Sequence, residues 1–106
     1  MGATATSKAE FKERVLSWAD RLGAQVTSIS VRPMTTKWAS YSTTGRLTFD
    51  TQVLKLREEL QEYVIAHELL HFHVPNHGRL WKSLMRAHLG EHERLENELR
   101  RLAHRG

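Results

Sequence analysis

Three side chains that could form a metal site lie within one apolar stretch of the chain, residues 63–72. They are His67, Glu68 and His71. Residues four apart share a helix face, with about 5–6 Å between Cβ atoms, so the two imidazoles can point at one ion. The His-Glu-x-x-His spacing is typical of zinc sites in which the glutamate acts as general base. A bound ion would also compensate for titratable groups among apolar neighbours, where isolated charges are strongly disfavoured.

A third ligand is needed, because catalytic zinc sites usually have three protein ligands and leave one position for water. Pro75 should end the helix and turn the chain back towards the two histidines. His77 is the first histidine after that turn and is the preferred candidate. His73 lies about 200° around the helix from His71 and should face away. The candidates ranked below His77 are His88 and then Glu91 and Glu93.

The length and composition of the chain limit the possible classes of protein. The 106 residues predict one domain, 1–106, with residues 1–6 as a disordered tail. The absence of cysteine leaves histidine and carboxylate as the metal ligands. No apolar run approaches the roughly 20 residues of a membrane span, and no signal peptide is evident, so we expect no membrane partner and a cytoplasmic location.

The net charge of +4 raises the possibility of nucleic-acid binding. The basic residues are scattered, however, and alternate with glutamates in the helical segments 55–59 and 94–101. This pattern is typical of solvated helix faces. We therefore do not expect a nucleic-acid partner.

The first half of the chain predicts one helix and three strands. Ser7 and Glu10 form a capping box for a helix over 7–22, and Gly23 stands where its C-terminal cap belongs. Patterns of β-branched residues and alternating hydrophobicity predict strands over 26–31, 36–42 and 46–50. The tight connections between them favour a small antiparallel three-stranded sheet.

The second half predicts three helical segments. Residues 52–62 lead into the central helix, with Leu56 and Leu60 extending its ligand face, and this helix ends near Val74. Asn76 is the predicted N-cap of the next helix, which ends at Gly90. Its buried stripe comprises Leu80, Trp81, Leu84, Met85 and His88, and a terminal helix carries Leu95, Leu99 and Leu102. The predicted fold class is α+β.

Four segments of the chain resemble the YgjP-like metallopeptidase domain family. They are residues 64–71 and 75–81, which carry His-Glu-x-x-His and the downstream Asn-His, together with 38–42 and 45–50. The resemblance covers about residues 31–90. It implies a minimal zincin-like domain with one Zn²⁺ held by His67, His71 and His77, and with Glu68 as the catalytic residue.

The sequence departs from the pattern of that family at three positions. Ala39 and Tyr41 replace the usual Gly and Cys, and Asp50 stands where Asn is common. From the resemblance we also expect much of the N-terminal region of longer relatives to be missing, and with it parts that select the substrate. These differences concern substrate contacts and not the metal.

A peptide substrate could pair with the strand over residues 37–42 if that strand lies at the sheet edge. Trp38, Tyr41 and Arg79 are the candidate substrate-binding residues, although the two aromatic side chains could equally pack the sheet. Tyr41, Arg79 and Lys37 are alternatives for stabilising an oxyanion. Asp50 could support a ligand imidazole or cap the segment that follows it.

The sequence thus predicts a zinc-dependent metallopeptidase that hydrolyses peptide bonds of a peptide or protein. Alternatives are a metal-dependent hydrolase of another bond, such as a nucleotide phosphoanhydride, and a non-catalytic module with structural zinc. The lack of a convenient fourth ligand argues against structural zinc, which is normally four-coordinate. A partner protein that supplies specificity, and latency imposed by a chain terminus, are both compatible with the sequence.

Overall fold

A computed structural model of the chain describes residues 6–35, 37–74 and 76–103. Four helices and a three-stranded sheet confirm the predicted α+β class. The elements, in chain order, are α1 (Lys8–Leu22), β1 (Ser28–Val31), β2 (Ala39–Tyr41), β3 (Arg46–Phe49), a 3₁₀ turn (Thr51–Lys55), α2 (Glu58–Leu70), α3 (Arg79–Leu89) and α4 (His92–Ala103). Within the described ranges no helix is both long and apolar enough to cross a membrane.

Helix α1 has the caps that its sequence predicts. The Ser7 hydroxyl accepts a hydrogen bond from the Glu10 amide at 3.1 Å, and the Glu10 carboxylate accepts one from the Ser7 amide at the same distance. Gly23 ends the helix with φ of 67°, a conformation that costs glycine little. Phe11 and Val15 lie in the core. Of the predicted N-terminal tail, residues 1–5 lie outside the described part of the chain, whereas the Thr6 amide donates to the Leu54 carbonyl.

The sheet is mixed, so the prediction of a fully antiparallel sheet is wrong for one of its two strand pairs. Strand β3 lies in the centre, antiparallel to β2 and parallel to β1. Leu47 and Phe49 on β3 are 1% and 0% exposed, which favours the central position for this strand. The described residues of the connection between β1 and β2, 32–35 and 37–38, form no tight hairpin, and β3 lies between the first two strands.

The strands are shorter than their sequence patterns predict. The side chain of Asp50 stabilises the connection between β1 and β2. Asp50 was expected to cap the following segment or to support a ligand, but it does neither. Its Oδ1 accepts a hydrogen bond from the Met34 amide at 2.8 Å. The 3₁₀ turn that Asp50 precedes has no side-chain cap.

Helix α2 begins six residues later than predicted. A 3₁₀ turn occupies residues 51–55, and Leu56 and Arg57 are extended, so Leu56 does not continue the ligand face. Gln61, fully buried, fixes this arrangement because its amide Nε2 donates to the carbonyls of Val53 and Leu56 at 2.9 and 3.2 Å. Buried amide groups without such partners would destabilise the fold.

Helix α2 lies at the centre of the domain and packs against α1, α3, α4 and β2. It ends at Leu70, and the predicted stop at Pro75 lies outside the described residues. Gly78, and not Asn76, is the N-cap of α3; the Asn76 side chain instead accepts a hydrogen bond from the Gly78 amide at 2.9 Å. Leu80 is 61% exposed, contrary to prediction, whereas Trp81 is buried.

Candidate metal centre

The three histidines predicted to hold an ion converge at the C-terminal end of α2. His67 lies in the last turn of that helix, His71 is its C-cap residue, and His77 approaches from the loop before α3. One ring nitrogen from each histidine lies within 4.8 Å of the other two. In the described part of the chain these are the residues that form such a cluster.

A backbone carbonyl favours one tautomer of the His71 ring. Its Nδ1 lies 3.2 Å from the Val74 carbonyl oxygen, which can only accept a hydrogen bond. Nδ1 therefore carries the proton, and the lone pair is on Nε2, which faces the cluster. The Nε2 of His77 lies 2.9 Å from that of His71. A carbonyl that orients a ligand imidazole in this way is a common support of metal sites.

The geometry of the cluster fits a zinc ion. Zinc binds imidazole nitrogen at about 2.0–2.1 Å, so two ligands of a tetrahedral site lie about 3.3 Å apart. The distance of 2.9 Å between His71 and His77 is close to that value. The three imidazoles together could hold one such ion.

Trp81 packs against all three histidines. Its ring centroid lies 5.0 Å from that of His67, 6.3 Å from His71 and 4.7 Å from His77. This indole restricts the rotation of each imidazole. The sequence predicted Trp81 only as a buried residue of α3. The helical spacing of apolar residues indicates which side chains are buried, but not which residues they contact.

Trp81 also contacts a buried histidine that the sequence did not identify as part of the site. His92, at the start of α4, is 1% exposed, and its ring meets the Trp81 ring edge to face at 5.8 Å. Its two ring nitrogens and Trp81 Nε1 find no hydrogen-bond partner among the described residues. The spacing of residues in the sequence could not identify His92, because the packing of α4 in the folded domain brings it next to Trp81.

Burial changes the acid–base properties of the central residues. Burial raises the pKa of Glu68 to about 7, and the positive charge of Lys37 opposes this rise. Burial, with smaller contributions from His77, His71 and His92, lowers the pKa of His67 to about 4. His67 is therefore neutral at pH 7, and its contact with Glu68 at 3.9 Å is not an ion pair. Neutral imidazoles have the lone pairs that a metal requires.

The lower-ranked ligand candidates lie elsewhere. His73 faces away as expected, with Nε2 2.9 Å from the Leu22 carbonyl. His88 packs edge to face against Trp18 at 6.0 Å. The carboxylate of Glu93 pairs with Arg86, and Glu91 is exposed.

The predicted substrate-binding residues occupy different positions around the cluster. Tyr41 stacks on the His71 ring, with centroids 5.7 Å apart and planes 10° from parallel. Trp38 is half-buried and lines a cavity beside Glu68. Arg79 is exposed at the first position of α3, two residues after His77.

The chain is similar to a known family of proteins. The family description of the YgjP-like metallopeptidase domain matches residues 3–102. An uncharacterised protein of Methanocaldococcus jannaschii is 35% identical over 83 residues, which cover 69% of this chain and 70% of that protein.

Two solved structures share the fold. The crystal structure of the metallopeptidase zymogen of Methanocaldococcus jannaschii jannalysin has a TM-score of 0.74 at 32% identity, covering 87% of this chain and 93% of that one. The metallopeptidase zymogen of Pyrococcus abyssi abylysin has a TM-score of 0.71 at 27% identity, covering 84% and 90%.

Proposed function

This chain belongs to the YgjP-like metallopeptidase domain family and is a metallopeptidase that acts on peptides or proteins, and from that premise we propose that it holds one Zn²⁺ through His67, His71 and His77 and uses Glu68 as general base. The observation that supports this proposal most directly is the convergence of the three ring nitrogens beside a carboxyl group of raised pKa.

Glu68 has the properties expected of a proton carrier. Its side chain is only 14% exposed, and burial brings its pKa to about 7. A general base works best when its pKa lies near the operating pH. The carboxylate can thus take a proton from water and pass it to the leaving amine nitrogen. A bound zinc ion would lower the pKa of that water and polarise the scissile carbonyl.

Strand β2 offers a place for the substrate backbone. Among the described residues it pairs only with β3 and so lies at the sheet edge. The Trp38 carbonyl accepts from the Asp50 amide, and the Ser42 amide donates to the Arg46 carbonyl, both towards β3. Because backbone groups alternate along an antiparallel strand, those of Ala39 and Tyr41 face the other way, towards the open edge. An extended peptide can add there as a further strand.

The proposed substrate contacts follow from this edge. Tyr41, stacked on His71, and Trp38, near Glu68, lie at opposite ends of β2 and can contact side chains on either side of the cleaved bond. Arg79 is proposed to contact the substrate from the opposite side, at the start of α3. Lys37, which influences the pKa of Glu68, is a candidate for stabilising developing negative charge.

The experiment that tests the function compares zinc-loaded protein with protein treated with a chelator. Both are incubated with a mixed peptide library and, separately, with nucleoside triphosphates. Because the two solved relatives are described as zymogens, the assay is repeated after limited proteolysis. Zinc-dependent peptide cleavage with intact nucleotides is the expected result. Nucleotide hydrolysis without peptide cleavage, before and after proteolysis, would contradict the proposal.

Two further predictions concern the location of the protein in the cell and its partners. We expect cytoplasmic location, and we expect no nucleic-acid partner. In support of the latter, several arginines pair with glutamates. Arg57 and Arg94 form pairs that connect the start of α2 with α4, and Arg100 pairs with a glutamate one turn earlier on α4. Salt-dependent association with nucleic acid would contradict it.

A further inference from the structure

The His71 ring is stacked against two aromatic side chains from different parts of the fold, Tyr41 on β2 and Trp81 on α3. The plane of the imidazole is 10° from that of Tyr41, with centroids 5.7 Å apart, and 18° from that of Trp81, with centroids 6.3 Å apart. Rings stacked in this way oppose a tilt of the imidazole out of its plane. The Val74 carbonyl, which accepts a hydrogen bond from Nδ1, opposes rotation of the ring within that plane.

The position of His71 in the chain explains why its ring depends on contacts with other elements. His67 lies within the last turn of α2, whereas His71 is the C-cap residue of that helix. A side chain at a helix end has helical neighbours on one side only, so residues from elsewhere must restrict its rotamers. A ligand that is already held in its binding orientation loses less conformational entropy when an ion binds, and this raises the affinity.

Tyr41 can hold the imidazole because the sheet fixes its own position. It lies opposite Leu47 in the antiparallel ladder between β2 and β3, and Leu47 is 1% exposed. The ring of Tyr41 also contacts that of Phe72, with centroids 5.2 Å apart. Tyr41 therefore contacts two consecutive residues at the end of α2 and connects them to the central strand of the sheet.

From these contacts we infer that Tyr41 is a positioning residue for the metal ligand His71, a role that rests on the zinc site proposed above and is separate from contact with substrate. Its ring keeps Nε2 of His71 directed at the rings of His67 and His77 before an ion binds. The role requires a flat ring at position 41 and not a hydroxyl group, because the contact with His71 is a stacking of two planes. The edge strand that is proposed to carry the substrate thus also orients a ligand of the metal.

The inference is tested by measuring zinc affinity in the absence of peptide, through competition with a fluorescent zinc chelator. Without peptide, a residue that only contacts substrate has no influence on the result. Tyr41→Leu keeps an apolar side chain but removes the ring, and its zinc affinity should fall about tenfold, as for other groups that orient ligands. Tyr41→Phe keeps the ring and should retain the wild-type affinity. Tyr41→Ile, whose β-branched side chain favours a strand, repeats the test of ring removal in a variant that maintains β2.

The matched control is Trp38→Leu. Trp38 is a half-buried aromatic residue directly before β2, and within the described ranges its ring is stacked on none of the three histidines. Urea denaturation of the metal-free variants measures their free energies of unfolding, so that a loss of zinc affinity can be compared with a loss of stability. We expect both leucine variants to lose stability and only Tyr41→Leu to lose zinc affinity.

Two results would overturn the inference. The first is equal zinc affinity in Tyr41→Leu, Tyr41→Ile and Trp38→Leu, which would show that Tyr41 acts only in packing. The second is an equal loss of zinc affinity in Tyr41→Phe and Tyr41→Leu, which would show that the stacked ring is not what orients His71. A wild-type protein that binds no zinc would instead overturn the proposed function on which the inference rests.

Discussion

The Nε2 atoms of His71 and His77 lie 2.9 Å apart, although the two residues belong to different segments, the end of α2 and the loop before α3. Two bare lone pairs repel each other at this distance. Because the Val74 carbonyl accepts a hydrogen bond from His71 Nδ1, the lone pair of His71 is on Nε2, which faces His77. A cation bound by both nitrogens would replace this repulsion with attraction.

The first prediction concerns the third ligand. His77→Ala should weaken zinc binding by more than about 100-fold, because loss of a ligand costs more than the 10–100-fold typical of lost supporting groups. Competition with a fluorescent zinc chelator measures the change. His73→Ala is the matched control, since that ring points to Leu22 and should leave the affinity unchanged. Equal affinities for the two variants would show that His77 is not a ligand.

The second prediction separates proton transfer from metal binding. Glu68→Gln keeps the size of the side chain but cannot accept the proton, so kcat should fall about 10²–10⁴-fold. Zinc content by elemental analysis should stay at one ion per chain. Glu91→Gln, an exposed position, serves as the control with normal turnover. A Glu68→Gln enzyme with normal kcat would rule out the role of this carboxylate.

The third prediction is a pH dependence of the metal-free protein. The pKa of Glu68 is raised from 4.5 to about 7 by burial, so between these values the folded state binds this proton more tightly than the unfolded state does. Stability contributed by the neutral carboxyl group is therefore lost as pH rises through this window. Glutamine never ionises and avoids the loss.

The expected result is that Glu68→Gln gains about 1–3 kcal/mol in unfolding free energy, relative to wild type, between pH 4 and pH 8. Urea denaturation with a chelator present at both pH values measures it. A constant difference between the two proteins would show that Glu68 titrates normally in the fold.

The fourth prediction concerns Trp81, which contacts all three histidines. Trp81→Phe leaves an aromatic ring in place but removes part of the contact surface, and zinc affinity should fall on the order of tenfold, as for other groups that orient ligands. Trp18→Phe is the control: this side chain is equally buried at 3% exposure and packs against His88, outside the cluster. If both variants bind zinc equally, Trp81 acts only in packing.

Local patterns in the sequence predicted much of the site and of the helices. The Ser7 capping box and the spacing of His67 and His71 involve residues within one helical turn, whose relative positions follow from helix geometry alone. His77 was also predictable, because a turn soon after a helix returns the chain to that helix's end.

Features that depend on distant parts of the chain were not predictable in this way. The parallel pairing of β1 with β3 results from competition among strands for the central position, which Leu47 and Phe49 decide only in the assembled sheet. The start of α2 depends on Gln61, whose carbonyl partners lie in the preceding segment. The place of His92 behind Trp81 depends on how α4 packs.

The central position of β3 also has an evolutionary consequence. Within the described sheet, no ladder hydrogen bond joins β2, at the rim of the cleft, to β1 in the N-terminal half of the domain. Within this sheet, substitutions in β2 that alter the choice of substrate directly affect the pairing with one strand, β3. New specificities can therefore arise along this rim while the inherited framework of α1, β1 and β3 stays as it is.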